Sequence, residues 1–134
     1  MTDKLKSSSL KWRVIRDGPR TGSHNMALDH ALAVCSQESR GVLRLYSWME
    51  ATVSLGRNEP ARGLYDRANA VEQKIEFVRR PTGGRAVLHS NEVTYAIVIP
   101  VRALGGPRAS YIEINRGLAE GLSSIGAAVT VTDH

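Results

Sequence analysis

The residues best suited to chemistry lie in residues 79–89, whose sequence is RRPTGGRAVLH, between two stretches predicted to be strands. Two successive glycines, Gly83 and Gly84, allow a tight turn in which several backbone N–H groups can converge on a phosphate or carboxylate. Arg80 and Arg85 flank the turn and carry fork-shaped donors for such an anion. The segment therefore predicts an anion-binding loop.

The same residues also admit a structural interpretation. The segment contains neither the Gly-x-x-x-x-Gly-Lys-Ser/Thr phosphate loop nor the Gly-x-Gly-x-x-Gly dinucleotide fingerprint. Thr82 adds a hydroxyl, and His89 can donate or accept a proton near neutral pH, although a histidine in such a place is more often a hydrogen-bonded structural residue. Spacing alone thus favours a tight turn with surface arginines over a binding site.

Composition limits the fold and the class of partner. The chain has 134 residues, of which 42% are hydrophobic and 23% are charged, as expected for one soluble globular domain. We expect a flexible polar leader over residues 1–10 and a single domain over residues 11–134. The net charge is +5, but the basic residues are scattered, which favours an anionic ligand or acidic partner over nucleic acid.

Cysteine usage and hydropathy indicate the compartment. Cys35 is the only cysteine, so no internal disulfide can form, and no Cys/His cluster has metal-ligand spacing. The sequence shows no signal peptide and no apolar run of membrane-spanning length. These features predict a cytoplasmic protein without a metal site.

Hydrophobic periodicity predicts the elements that position the loop. A helix is expected from residue 23 to about residue 39, with Cys35 on its buried face. Strands at 42–48 and 52–55 are expected to pair as a hairpin, because only three residues connect them. The remaining predicted elements are strands at 12–16, 75–79, 86–89 and 92–100, a weakly helical stretch at 60–70, a helix at about 110–125 and a last strand at 127–132.

This order of elements does not alternate regularly between strand and helix. The predicted fold class is therefore α+β, with helices packed on a mostly antiparallel or mixed sheet. The predicted strand 127–132 is apolar and ends the chain, so its edge is expected to pair with another chain and to give a homo-oligomer.

The loop segment resembles the signature of lipoate-protein ligases and octanoyltransferases, Arg-Arg-x-Thr/Ser-Gly-Gly-Gly/Arg-x-Val-x-His-Asp. Residues 25–29 (NMALD) resemble the first-helix motif of that family, and residues 43–48 (LRLYSW) and 54–57 (SLGR) resemble its hairpin. Residues 92–95 (EVTY) fit a following strand. The resemblance covers nearly the whole chain and matches it to the N-terminal half of the catalytic domain.

The resemblance implies a fold related to biotin-protein ligases and class II aminoacyl-tRNA synthetases. In ligase members, lipoate and ATP, with magnesium, form lipoyl-adenylate, and the acyl group then passes to a lysine of an acyl-carrier (lipoyl) domain. The implied acyl group is lipoate or octanoate, and no tightly bound cofactor is implied. The residues that the resemblance assigns to binding are Trp48 at the acyl pocket, Arg80, Thr82, Gly83, Gly84, Arg85 and Ala86 around the carboxylate or adenylate phosphate, and His89 closing the pocket.

Two departures from the family pattern bear on activity. Ser90 stands where the family usually has Asp. The family's activating lysine, and the cysteine of its octanoyltransferase members, lie C-terminal to the second helix. Lys74 is the only lysine after Lys11 and precedes the loop. We therefore assign no catalytic residue.

Three interpretations remain open. The chain is a truncated domain that keeps part of an acyl-adenylate pocket without catalysing a reaction alone, or half of a two-chain ligase or octanoyltransferase, or an interaction protein that reuses the fold. Stabilisation by lipoate, octanoate, biotin or ATP distinguishes a ligand-binding protein from one that has lost binding.

Overall fold

A computed structural model describes residues 10–132, so all but the last residue of the predicted leader lie outside the described residues. Among the helices of this range, none is both long and apolar enough to cross a bilayer. The elements, in chain order, are β1 (Lys11–Arg20), α1 (Gly22–Val34), β2 (Arg40–Trp48), β3 (Thr52–Leu55), α2 (Arg67–Glu72), β4 (Glu76–Arg79), β5 (Val87–His89), β6 (Thr94–Val98) and α3 (Pro107–Ser124).

The strands form two three-stranded sheets, with the orders β1-β2-β6 and β4-β3-β5. Each sheet combines one parallel pair, β1/β2 or β3/β4, with one antiparallel pair, β2/β6 or β3/β5. Both parallel pairs are joined through a helix, because parallel strands need a crossover connection rather than a hairpin. The predicted α+β class with a mixed sheet is confirmed.

Helix α1 packs across both sheets, against β4 of one and against β2 and β6 of the other. Two side chains accept hydrogen bonds from backbone N–H groups at its N-terminus. The Thr21 hydroxyl accepts from His24 N–H (3.3 Å), and the Glu76 carboxylate accepts from Gly22 N–H (2.7 Å). A negative charge at this end is also favourable toward the helix dipole. Gly22 leaves no room for a side chain, because a Cβ there would lie 2.6 Å from Cγ2 of Thr52.

A buried ion network holds α1 to the first sheet. Arg44 on β2 is fully buried, and its guanidinium donates to the carboxylates of Asp29 (2.8 Å) and Asp17 (2.9 Å). It also donates to Oδ1 of Asn25 (2.7 Å) and lies 4.0 Å from the ring centroid of Tyr46. The hydrogen bond from Arg44 lowers the pKa of Asp17, whereas burial raises the pKa of Tyr46. A charge without solvent is stable only when it is paired and hydrogen-bonded in this way.

The predicted hairpin between residues 42–48 and 52–55 is wrong. Both segments are strands, but β2 pairs with β1 and β6, whereas β3 pairs with β4 and β5. The first residue after β2, Met49, donates its N–H to the carbonyl of Arg20 at the end of β1 (2.9 Å). The short connection therefore carries the chain from one sheet to the other.

Helix α1 also ends earlier than predicted, at Val34, and Cys35 is exposed rather than buried. The buried residues of α1 are Gly22 and Asn25. Apolar periodicity misplaced the buried face because the face that meets β2 is occupied by the polar partners of Arg44.

The predicted strand at residues 127–132 does not form. Residues 129–132 instead line a groove along α3. Helix α3 begins at Pro107, before the predicted start at about residue 110, and ends as predicted just before Gly126, whose φ of +91° is typical of a helix-ending glycine. The strand edge predicted to pair with another chain is therefore not formed by this segment.

Candidate functional site

The predicted anion-binding segment connects β4 to β5 as residues 80–86, which we call the glycine loop. Two backbone hydrogen bonds fix it to the end of β3. Arg80 N–H donates to the carbonyl of Leu55 (3.0 Å), and Arg57 N–H donates to the carbonyl of Thr82 (2.8 Å). The loop therefore lies at the C-terminal end of β3.

Arg80 holds the glycine loop from one side. Its Nε and Nη2 donate to the carbonyl of Gly83 (3.2 and 2.7 Å), and Nη2 also donates to the carbonyl of Arg85 (2.7 Å). Its Nη1 donates to the carbonyl and the hydroxyl of Ser54 on β3 (2.7 and 3.2 Å). A guanidinium has five N–H donors, and these bonds engage all three of its nitrogens. Arg80 therefore positions the loop, and its donors are taken by protein acceptors.

The engaged carbonyls determine which way the N–H groups of the loop point. In a trans peptide the C=O and N–H bonds point in opposite directions, and no cis peptide bond occurs in the described residues. Each N–H group therefore points away from the partner of the preceding carbonyl: Gly83 N–H away from Arg57 N–H, and Gly84 and Ala86 N–H away from the Arg80 guanidinium. We call the N–H groups of Gly83, Gly84 and Ala86 together the amide face. Within the described part of the chain, Gly83 N–H and Gly84 N–H donate to no protein acceptor.

Glycine is required where the loop meets the residue after β3. A Cβ on Gly56 would lie 1.8 Å from the carbonyl oxygen of Gly84, which is far inside van der Waals contact. Gly84 has a φ of +92°, in the left-handed region that glycine adopts without a steric penalty. The close approach of these two backbones seats the turn directly against β3.

Arg85, the second predicted anion donor, differs from Arg80 in its surroundings. Its side chain is exposed, and it forms no hydrogen bond or ion pair with any residue that the structure describes. Thr82 is likewise exposed. Arg85 is therefore the arginine of the loop that is free to meet a ligand.

Trp48 and His89, the other predicted site residues, contact each other. Their rings stack with centroids 4.1 Å apart and planes 12° apart, and only 7% and 9% of their surfaces are exposed. Trp48 Nε1 donates to the Thr94 hydroxyl (2.7 Å), which donates to the Glu92 carboxylate (2.7 Å). Nδ1 of His89 bonds the same Glu92 oxygen (2.7 Å), and its Nε2 bonds the Ser54 hydroxyl (2.8 Å).

Ser54 links this network to the glycine loop, because Arg80 donates to its hydroxyl oxygen. An ionised carboxylate can only accept, so Nδ1 of His89 carries the proton toward Glu92, and in the neutral imidazole Nε2 accepts from Ser54. Burial raises the pKa of Glu92, but its hydrogen bonds, foremost the one from His89, outweigh that effect and lower the pKa. A continuous series of hydrogen bonds thus runs from Trp48 to Arg80 and joins the two sheets.

Ser54, His89 and Glu92 have the arrangement of a nucleophile, a base and an orienting carboxylate. Ser54 is only 1% exposed, however, and Arg80 donates to its hydroxyl. A substrate has no access to such a hydroxyl. The arrangement therefore orients His89 against Trp48 rather than activating a serine.

Sequence reasoning missed Ser54 and Glu92 as the partners of His89. A signal for Ser54 was present, because Thr52 and Ser54 lie two apart in a strand and so share a face. Both are almost completely buried, at 0% and 1% exposed, and buried hydroxyls need polar partners. The binding role of each residue named in the sequence analysis remains a prediction.

An apolar cavity of about 400 Å³ lies on the opposite face of the first sheet, under α3. Leu43 on β2 lines this cavity, and a residue five positions further along the strand, Trp48, points to the other face. Trp12 and Ile97 also line the cavity. None of the predicted site residues contributes to it.

The sequence pattern of the lipoyl protein ligase A/B catalytic domain matches residues 21–134. The chain belongs to this family. Among its curated relatives, octanoyltransferase LipM from Carboxydothermus hydrogenoformans is 41% identical over 120 residues, covering 86% of this chain and 45% of the relative. LipM from Staphylococcus aureus is 36% identical over 120 residues, covering 86% of this chain and 44% of the relative. The chain spans less than half the length of these relatives.

Solved structures share the fold of this lipoyl protein ligase A/B domain. A bi-partite lipoate protein ligase from Thermoplasma acidophilum matches with a TM-score of 0.76 and 19% identity, covering 93% of this chain and 49% of that chain. Lipoate-protein ligase A bound with ATP matches with a TM-score of 0.71 and 20% identity, covering 93% and 51%. The predicted family and its fold are confirmed.

Proposed function

We propose that this chain forms the part of a lipoate-protein ligase or octanoyltransferase domain that binds a lipoyl or octanoyl group and its activated head group. The amide face of the glycine loop carries the proposal. Gly83 and Gly84 present N–H groups without a protein acceptor in the described chain, directly before the free guanidinium of Arg85. Amides without a protein acceptor next to a guanidinium suit a carboxylate or an adenylate phosphate.

Each residue of the predicted site has a distinct role in this proposal. Arg85 contacts the anionic head group, whereas Arg80 holds the loop in the shape that exposes its amides. The other roles are those of Gly83, Gly84 and Ala86 as N–H donors, Thr82 as a hydroxyl donor at the loop, and Trp48 and His89 as the stacked wall of the acyl slot.

Two structures with this fold support the ligand class: the P. falciparum protein LipL1 in complex with lipoate and lipoate-protein ligase A bound with ATP. The donor set at the glycine loop fits the anionic parts of such ligands. No group of three His, Cys, Asp or Glu side chains in residues 10–132 is arranged to hold a metal ion. We therefore assign the binding of magnesium to none of these residues.

Binding of an octanoyl-adenylate analogue is expected to change the fluorescence of Trp48 and not that of Trp12. The proposed acyl slot lies against Trp48, whereas Trp12 lines the apolar cavity on the other face of the sheet. The chain has two tryptophans, so Trp12→Phe reports on Trp48 alone and Trp48→Phe reports on Trp12 alone. A response confined to Trp48→Phe would place the acyl group in the cavity and contradict the proposed slot.

We expect these 134 residues alone neither to activate lipoate with ATP nor to transfer an acyl group. Activation needs a positive side chain at the mixed-anhydride centre, and covalent transfer needs a thiol there. Lys74 precedes β4 whereas the glycine loop follows it, a separation of about 13 Å of strand, and Cys35 lies at the end of α1. A site that holds substrate and transition state equally well does not accelerate the reaction.

Exchange of radiolabelled pyrophosphate into ATP, with lipoate or octanoate present, measures activation. The mass of an added lipoyl domain measures transfer, and a full-length ligase serves as the positive control. Exchange that depends on lipoate, or a lipoyl domain heavier by one acyl group, would show that the chain has a catalytic group that this proposal omits.

Specific observations bear on two other functions, that of one half of a two-chain enzyme and that of an interaction protein. The bi-partite ligase of T. acidophilum was analysed together with its E2 lipoyl domain, which supports a second chain and a lipoyl domain as partners. An interaction protein or a homo-oligomer is supported by exposed apolar residues on and after α3, such as Tyr111 (68%) and Ile125 (79%). Solution mass, with and without a lipoyl domain, separates these cases. For all of them we propose a cytoplasmic location.

A further inference from the structure

The two stacked rings come from different sheets. Trp48 ends β2 of the first sheet, and His89 ends β5 of the second sheet. Each ring is thus the last residue before a segment that crosses to the other sheet, residues 49–51 after Trp48 and residues 90–93 after His89. Glu92 lies in the second crossing, where its N–H donates to the carbonyl of Ser90 (2.9 Å) and closes a three-residue turn.

One oxygen of Glu92 holds both rings. Because an ionised carboxylate can only accept, its Oε1 accepts from Nδ1–H of His89 (2.7 Å) and from the Thr94 hydroxyl (2.7 Å). The Thr94 hydroxyl in turn accepts from Nε1–H of Trp48 (2.7 Å). A ring from the second sheet is therefore held directly, and a ring from the first sheet is held through one hydroxyl, at the same atom.

We propose that Glu92 is a positioning residue of the acyl slot, whose Oε1 fixes the His89 ring against Trp48 in the tautomer that carries its proton on Nδ1. This inference rests on the proposed function of the two rings as the wall of that slot. Glu92 acts through His89 and Thr94 and not by contact with the acyl group.

The surroundings of His89 explain why it needs this acceptor. The His89 side chain is only 11% exposed, whereas that of Glu92 is 39% exposed. Nε2 of His89 is already bonded to the Ser54 hydroxyl (2.8 Å), and a buried ring N–H needs a partner. Without Glu92 the ring either leaves Nδ1–H unpaired or moves the proton to Nε2, which reverses the direction of its bond with Ser54. Glu92 itself can be replaced without leaving a buried charge.

Two substitutions of Glu92 separate its acceptor oxygen from its negative charge. Glu92→Gln removes the charge but keeps an amide oxygen that can accept from both His89 and Thr94. Glu92→Leu has a similar volume and no acceptor. Glu50→Leu is the matched control, because Glu50 lies in the other crossing between the sheets, is exposed, and forms no side-chain hydrogen bond or ion pair with the described residues.

Long-range ¹H–¹⁵N correlations of the His89 ring in the full chain report its tautomer without a ligand, at a pH at which the ring is neutral. We expect a protonated Nδ1 and an unprotonated Nε2 in the wild type, Glu92→Gln and Glu50→Leu. In Glu92→Leu this pattern should be lost, together with the upfield shift that the stacked Trp48 ring induces in the His89 ring protons. An unchanged pattern in Glu92→Leu that is folded by circular dichroism would overturn the proposal, and so would the opposite tautomer in the wild type.

The Kd of the octanoyl-adenylate analogue is the second readout. Glu92→Leu should raise it by about tenfold, within the range expected when a buried group loses its hydrogen-bond partner. Glu92→Gln and Glu50→Leu should stay within about twofold of the wild type, as for most surface substitutions. An unchanged Kd in Glu92→Leu would overturn the proposal. Equal losses in Glu92→Leu and Glu92→Gln would overturn it too, because the charge and not the acceptor oxygen would then matter.

The ligand-free measurements are independent of acyl binding. If the analogue fails to perturb Trp48 while Glu92→Leu changes the His89 tautomer, the proposed acyl function is wrong and Glu92 still positions the ring pair. If the analogue binds at Trp48 and Glu92→Leu changes neither the tautomer nor the Kd, the acyl function stands and the proposal for Glu92 is wrong.

Discussion

Replacing Arg44 with alanine is expected to lower the free energy of unfolding by about 3–5 kcal/mol, the usual cost of removing one partner from a buried charge pair. The substitution leaves the carboxylates of Asp17 and Asp29, which are only 14% and 12% exposed, without their positive partner. It also opens the space between β2 and α1. Urea denaturation followed by circular dichroism measures the change.

Arg13→Ala is the matched control for this experiment. Arg13 lies on β1, directly beside β2, but its side chain is exposed and makes no ion pair with the described residues. We expect its effect to stay within about 0.5 kcal/mol, as for most surface substitutions. Equal unfolding midpoints for the two variants would mean that the buried network contributes no net stability.

Replacing Arg80 with alanine is expected to weaken binding of an octanoyl-adenylate analogue by about 100-fold, a size of effect typical when a positioned group is displaced by about 1 Å. The substitution releases the carbonyls of Gly83 and Arg85 and removes two bonds to Ser54. The N–H groups of the loop are then no longer held in fixed orientations. Isothermal titration measures the affinity, and the resonances of Gly83 and Gly84 report on the shape of the loop without ligand.

Two further substitutions separate positioning from direct contact. Arg85→Ala removes a free guanidinium, so we expect a loss of about 1–3 kcal/mol in binding and unchanged Gly83 and Gly84 resonances in the empty protein. Arg80→Lys offers a single ammonium in place of the planar fork, and should restore little of the binding. If Arg80→Ala leaves the empty loop unchanged and resembles Arg85→Ala in affinity, then Arg80 is a ligand contact and not a positioning residue.

The glycine loop was recognisable in the sequence because its properties are local. Successive glycines and flanking arginines are sufficient to predict a turn with donors, and the turn forms where the pattern places it. The different roles of Arg80, which positions the loop, and Arg85, whose side chain is free, were not predictable. They depend on Ser54, which lies 26 residues before Arg80 in the chain and reaches it only through the pairing of β3 with β4.

The pairing of the strands and the buried polar face of β2 were not predicted either, because both depend on residues distant in the chain. Strand propensity located β2 and β3 but carries no information about which strands pair, so a short connection was mistaken for a hairpin turn. Arg44 alternates with leucines in residues 43–45, a pattern that fits an exposed polar face equally well. Only the approach of Asp17 and Asp29 shows that Arg44 faces inward.

The order β1-β2-β6 has a consequence for synthesis of the chain. Strand β2 gains its second neighbour only when β6 has been made, and all of the second sheet is translated between them. Ribosomes add roughly 5–20 residues per second, so one edge of β2 stays unpaired for several seconds on a nascent chain. The contact of Trp48 with His89 must wait through most of the same interval. The unpaired edge of β2 can therefore mispair or bind a chaperone before residue 98 emerges from the ribosome.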